Sequence, residues 1–162
     1  MSSIPKSFKP SISRLFEQDA CRKEGNDGFC FSDVIGCDEA GRGPLCGPVV
    51  AAAAWIHPDA TIDHGIHDSK ATTEAQREAA FEVLINHPSV KYAVVRIEHD
   101  EIDEINILQA SLKAMRLACT SVLNQLQAVD SSFHFGNCLC LVDGNKVPSD
   151  MPVKTAAIVK VS

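Results

Sequence analysis

Two adjacent carboxylates, Asp38 and Glu39, stand directly before a run rich in glycine and proline, "AGRGPLCGPVV" at positions 40 to 50. A third acid, Asp143, ends the apolar stretch "CLCLV". Carboxylates gathered without histidine or cysteine form a hard, oxygen-rich donor set that suits Mg²⁺ or Mn²⁺ better than zinc. Two such ions about 4 Å apart activate water and stabilise the leaving oxygen in phosphodiester cleavage. Neighbours on an extended chain point to opposite sides. Asp38 and Glu39 therefore share one metal site only if the chain turns at once, which Ala40-Gly41 permits. The competing reading makes all three ordinary loop acids, since Asp-Gly at 143-144 is a common turn dipeptide. The glycines on either side of Arg42 let a backbone approach a ligand, and Arg42 can pair with phosphate. A plain tight turn is the alternative. No Gly-Lys-Ser/Thr follows, so the segment is not a P-loop.

The elements that must position these residues follow from hydrophobic patterning. "DVIGC" at 33 to 37 reads as a buried strand that delivers Asp38 and Glu39 at its end, and "PVVAAAAWIH" as a second strand, small-residue-rich where something packs close. Thr72 or Thr73 caps a helix whose apolar residues at 79, 80, 83 and 84 form one inward face, and His87-Pro88 stops it. "VKYAVVRIE" is a third strand, followed by a short acidic turn. Ile107, Leu108, Leu112, Met115, Ala118, Cys119, Val122 and Leu126 then recur at three- and four-residue steps, the strongest helix signal in the chain. "CLCLVD" and "VKTAAIVKV" are a fourth and a fifth strand. The order β-β-α-β-α-β-β, with carboxylates at strand ends, indicates an α/β domain around a mixed five-stranded sheet.

At 162 residues, 45% of them hydrophobic, the chain is long enough for one domain with a real core and too short for two comfortable ones. No stretch of 18 or more uncharged apolar residues is present, so no transmembrane helix and no membrane association are expected. The net charge of −6 argues against a simple electrostatic nucleic-acid binder. It leaves metal-dependent phosphodiester chemistry open, because bound cations supply the positive charge. The seven cysteines are irregularly spaced, odd in number and without a CxxC pair. They read as free thiols of a reducing compartment, and a zinc site at Cys138 and Cys140 lacks a second ligand pair. Residues 1 to 32 show no sustained periodicity. They read as a disordered or loosely docked extension to a domain spanning 33 to 162, or as an organellar transit peptide, so a cytoplasmic or an organellar location is expected.

"IGCDEAGRGPLCGPVVAAAAWI" resembles the signature of the ribonuclease HII family. "DSK" at 68 to 70, "EIDEINILQASLKAMRLA" at 101 to 118 and "LVDGNKVP" at 141 to 148 resemble its later blocks, in order and at matching spacing. Arg42 between its glycines favours the HII over the HIII type, and Asp143-Gly144-Asn145 favours the bacterial form. The resemblance implies a ribonuclease-H-like fold and a monomeric, Mg²⁺- or Mn²⁺-dependent endonuclease. Such an enzyme cleaves RNA in RNA–DNA hybrids and incises at ribonucleotides embedded in duplex DNA, leaving a 3′-hydroxyl and a 5′-phosphate. Asp38, Glu39 and Asp143 match its metal-binding, catalytic carboxylates. The backbone of Gly41, Arg42 and Gly43 matches the element that senses the ribose 2′-hydroxyl, the group that distinguishes RNA from DNA. Ser69, Lys70 and Asn106 match substrate-binding positions. On the residues alone, Ser69 and Asn106 serve equally well as helix caps, and Lys70 as a solvated lysine.

Two departures bear on the expected activity. Ala71 stands where the family usually has a second lysine. The strand "TAAIVKV" ends on Val161-Ser162, where the family continues into Gly-Asp, its fourth carboxylate, and then into C-terminal helices. A C-terminally truncated member is expected to expose apolar faces of the sheet and of the long helix. It is also expected to be marginally stable and weakly active or inactive, the alternative to an enzyme being a non-catalytic remnant that binds hybrid duplex weakly or not at all.

Overall fold

A computed structural model describes residues 15–24, 32–43, 46–60, 62 and 72–159. The expected five strands are present: β1 (Asp33–Ala40), β2 (Val49–Ile56), β3 (Val90–Ile97), β4 (Cys138–Asp143) and β5 (Lys154–Ile158). They form one mixed sheet in the order β3-β2-β1-β4-β5. β1, β2 and β3 are antiparallel neighbours, whereas β1, β4 and β5 run parallel. The parallel pairing of β1 with β4 needs a long connection between them, and the chain between them includes the largest helix. The helices are α1 (Leu15–Glu24), α2 (Glu74–Asn86), α3 (His99–Ile105) and α4 (Ile107–Val129).

α4 supplies the core. Ala110, Ala114, Met115, Ala118, Cys119, Val122, Leu123 and Leu126 form its buried stripe, in the three- and four-residue rhythm that makes a helix amphipathic. This stripe covers one face of the sheet, built by alternate residues such as Ile35 and Cys37 of β1, Ala51 and Ala53 of β2, and Cys140 and Val142 of β4. The Cys37 thiol reaches the Met115 carbonyl at 3.6 Å, fixing α4 against β1. Trp55 Nε1 donates to Asp33 Oδ1 at 2.9 Å and ties β2 to the start of β1.

Several local expectations are corrected. The acidic segment after β3 is not a turn but the helix α3, whose Asp100 and Glu101 lie in the first turn, where the positive end of the helix dipole favours them. α2 begins as expected at Thr73, which forms a reciprocal capping box with Gln76. It has no buried residue, however: Val83 and Leu84 are only half-buried and Ala79 is exposed, the helix lying against the edge strand β3. Within 1–32, Leu15–Glu24 is helical. Cys21 of α1 is buried against Leu139 and Leu141, on the sheet face opposite α4, and Lys154 pairs with Glu24 at 3.3 Å.

Much of that second face is open. Gly36, Asp38, Ala52 and Ala54 are exposed along β1 and β2, and Tyr92 and Val94 of β3 are 39% and 56% exposed beside them. Among the described residues no helix is long and apolar enough to cross a membrane.

Candidate metal centre at the ends of β1 and β4

Asp38 and Asp143 occupy equivalent places on neighbouring parallel strands. The last paired residues of β1 and β4 are Cys37 and Val142, and each aspartate comes next in its strand. Adjacent strands lie about 4.8 Å apart, and both side chains fall on the open face because Cys37 and Val142 face the core. The two carboxylates line one groove of about 440 Å³ with Gly36, Ala52, Ala54 and Leu141. The alanine run of β2 acquires its meaning here. The register sets Ala52 opposite Asp38 and Ala54 opposite Gly36, so the groove floor carries little side-chain bulk.

Local bonding orients the site. Asp38 Oδ1 accepts the Glu39 backbone N–H at 2.8 Å. The Gly144 N–H donates to the Ile158 carbonyl at 3.0 Å, which holds the chain leaving Asp143 against the end of β5. Gly144 takes φ +124°, a conformation glycine adopts without penalty.

Glu39 behaves differently. β1 stays extended through Ala40, so the immediate turn that would bring Asp38 and Glu39 to the same side does not occur. Glu39 sits on the α4 side of the sheet, and its Oε1 accepts Arg42 Nη1 at 2.8 Å. The chain turns at Gly41, with φ +94°, and a Cβ there would lie 2.5 Å from the Pro48 carbonyl oxygen. Gly41 is therefore required by both the backbone angle and the approach of the β2 entry. Nothing lies within 4 Å of a Cβ built at Gly43.

The donor set fits a hard divalent cation in part. Asp38 and Asp143 offer carboxylate oxygens in one groove, while Glu39 is engaged by Arg42. Among the described residues no three His, Cys, Asp or Glu side chains are gathered as a metal-holding group. Asn106 lies apart from the groove lining as the N-cap of α4, its Oδ1 accepting the Gln109 N–H at 3.1 Å with φ at +69°. The capping role read from the sequence is thus the one its side chain performs in the fold. Ser69 and Lys70 lie outside the described residues.

Among the described residues the cysteines form no ligand set. Cys37, Cys119, Cys138 and Cys140 are buried free thiols. The Cys140 thiol hydrogen-bonds with Cys119 and Cys37, which raises its pKa far above the ordinary range and lowers that of Cys119. Burial pushes Cys138 up to about 12. What sequence reasoning missed is the groove itself. Its signal was Gly36 and the exposed half of Ala51–Ala54, which set side-chain size to a minimum beside Asp38.

A family model described as Ribonuclease HII matches residues 35–161. Ribonuclease HII of Francisella philomiragia subsp. philomiragia is 43% identical over 127 residues, which cover 78% of this chain and 61% of that protein. The chain spans about three fifths of the length of the curated relatives it matches. Among solved structures, ribonuclease H2 from Pyrococcus horikoshii OT3 superposes with a TM-score of 0.58 at 27% identity, covering 79% of this chain and 63% of that one. Bst-RNase HIII, crystallised in complex with Mn²⁺, shares the fold at a TM-score of 0.55 and 18% identity, over 82% of this chain and 47% of its own. With the sheet order, the carboxylates at the ends of β1 and β4 and these matches in agreement, the chain belongs to the ribonuclease HII family.

Proposed function

We propose that this chain carries the metal centre of an endonuclease that cleaves RNA in RNA–DNA hybrids and incises at ribonucleotides embedded in duplex DNA. The observation that carries the reading is the placement of Asp38 and Asp143 at matched ends of parallel strands, facing one groove where Gly36, Ala52 and Ala54 flank Asp38 and Val34, Leu141 and Ile158 contribute to the lining. Ligand sites of open α/β sheets gather at such strand ends. The small residues beside Asp38 leave room for a polymer backbone to approach that carboxylate.

Asp38 and Asp143 would hold Mg²⁺ or Mn²⁺, which supplies Lewis-acid stabilisation of a phosphodiester and a water nucleophile at neutral pH. Glu39 is the third ligand in this reading. Its partner Arg42 is 46% exposed, whereas the Glu39 side chain is 11% exposed, so the pair is sheltered from water on the carboxylate side. Serving as that ligand requires Glu39 to leave Arg42 and to reach the groove at the end of β1, and the freed guanidinium would then be available to a substrate phosphate. The backbone at Gly41 and Gly43 carries no side chain between itself and a ribose, which supports its assignment as the 2′-hydroxyl sensor.

The test is cleavage of a uniform RNA–DNA hybrid by the 162-residue chain, with the product ends mapped. Incision is expected only with Mg²⁺ or Mn²⁺, slow, and leaving 3′-hydroxyl and 5′-phosphate ends. Cleavage that persists in chelator, or that leaves 2′,3′-cyclic phosphate, contradicts the proposal, because the latter product requires attack by the ribose hydroxyl rather than by water.

A further inference from the structure

A second polar cavity, of about 310 Å³, opens between α4 and the β4–β5 connection. One wall is Gln109, Lys113 and Arg116, at i, i+4 and i+7 on a single stripe of α4, and the other is Pro148, Ser149 and Asp150. In a chain of net charge −6, two cations and an amide on one wall of a cavity are an unusual concentration. Their pairing differs. Lys113 is bonded to Glu101 of α3. Arg116 has no side-chain hydrogen bond or ion pair to any described residue, and Asp150 across the cavity is not within ion-pair distance of it. An arginine that lines a cavity without a counter-ion among the described residues presents a planar, bidentate donor fork, the geometry that matches phosphate oxygens.

The position of this cavity connects it to the metal centre. Asp143 and Pro148 lie five residues apart on one connection, a span of at most about 17 Å of extended chain. With a rise of about 3.4 Å per nucleotide of one duplex strand, the Pro148 wall of the cavity lies within about five nucleotides of Asp143. We propose that Arg116, with Gln109 and Ser149 beside it, forms a phosphodiester subsite that holds the substrate duplex at a fixed distance from the Asp38–Asp143 groove. This rests on the hybrid-duplex reading above. Arg116 is a positioning residue here, because it touches the backbone away from the reacting phosphate. Ile105 and Leu112 on the cavity wall offer apolar surface to a sugar, and Glu101 and Asp150 keep the net charge low, so the site selects by geometry rather than as a general polyanion trap.

The experiment compares the wild-type chain with Arg116→Ala and the milder Arg116→Gln, using fluorescence anisotropy on a labelled RNA–DNA hybrid across a salt series. Each variant is expected to weaken binding about five- to tenfold and to reduce the salt slope by about one, the signature of one lost phosphate contact. Incision at saturating substrate should stay within about twofold. A scan of neutral methylphosphonate linkages should find a position, within about five nucleotides of the incision site, whose neutralisation weakens the wild type but not Arg116→Ala. Unchanged affinity and slope in both variants, with wild-type incision intact, overturns the subsite and leaves the proposed function standing. A wild-type chain that binds no hybrid overturns both. Should Arg116→Ala unfold by circular dichroism, Arg116→Gln alone decides the matter.

Discussion

The role proposed for Asp38 and Asp143 rests on position. Each comes directly after the last pair between β1 and β4, Cys37 with Val142, and faces the open side. Asp143→Asn keeps the shape of the side chain and removes its charge. It is expected to lower divalent-cation-dependent incision at least about a hundredfold, the scale of a lost charge-stabilising group at a reacting centre, while leaving the far-ultraviolet circular dichroism unchanged. The cysteines belong to the opposite category. Cys37, Cys119, Cys138 and Cys140 are sealed between α4 and the sheet, and Cys21 lies beneath α1. Of the six described thiols only Cys46 is exposed, so a thiol reagent such as dithionitrobenzoate should label Cys46 rapidly and the other five only on unfolding. Cys138 also links stability to pH. Its folded-state pKa is raised from 9.0 to about 12, so the native chain holds this proton more tightly than the unfolded one. The contribution is fully present below pH 9 and is lost as pH rises from 9 towards 12, at about 1.4 kcal/mol per pH unit. Urea denaturation across that interval should show the decline, and Cys138→Ala should show a shallower one.

At the scale of elements, the turn after β1 and the entry to α4 are the two places where backbone angle decides. Gly41→Ala forces a Cβ to within 2.5 Å of the Pro48 carbonyl at φ +94°. A cost of about 1–3 kcal/mol is expected, seen in chemical denaturation together with lost incision, since β2 must shift away from β1. Asn106→Ala removes the α4 cap and places alanine at φ +69°, for about 1–2 kcal/mol, whereas Asn106→Gly relieves the angle and costs less. The strands and α4 were legible in the sequence because alternation and three- to four-residue spacing are imposed by burial, and α4 buries a full stripe. α3 was not legible, because seven residues of mostly acidic character look the same in a turn as in a helix stabilised by its own dipole. α1 was hidden because Cys21 is its one fully buried anchor among the side chains described, and one anchor makes no period. The three carboxylates were legible as residues, and their division was not. Whether Glu39 joins Asp38 depends on where β1 ends, and β1 continues one residue past it, to Ala40.

At the scale of the molecule, the sheet is covered by α4 on one face and partly by α1 on the other, with the carboxylate groove in the uncovered part. A cation bound there stabilises the native state by mass action, by about 2.7 kcal/mol at a hundred times its dissociation constant. For a chain of this size that is about 5–10 °C in melting temperature. Mn²⁺ should therefore raise the melting temperature of the wild-type chain and leave Asp143→Asn unmoved, a readout independent of turnover. The most direct measurement is Mn²⁺-dependent incision of a DNA duplex carrying one embedded ribonucleotide, by wild-type and Asp143→Asn chains side by side. A single cut at the ribonucleotide by the wild type, abolished by the substitution, is the predicted result. Equal Mn²⁺-dependent incision by both chains would contradict the assignment of the Asp38–Asp143 groove as the catalytic metal centre.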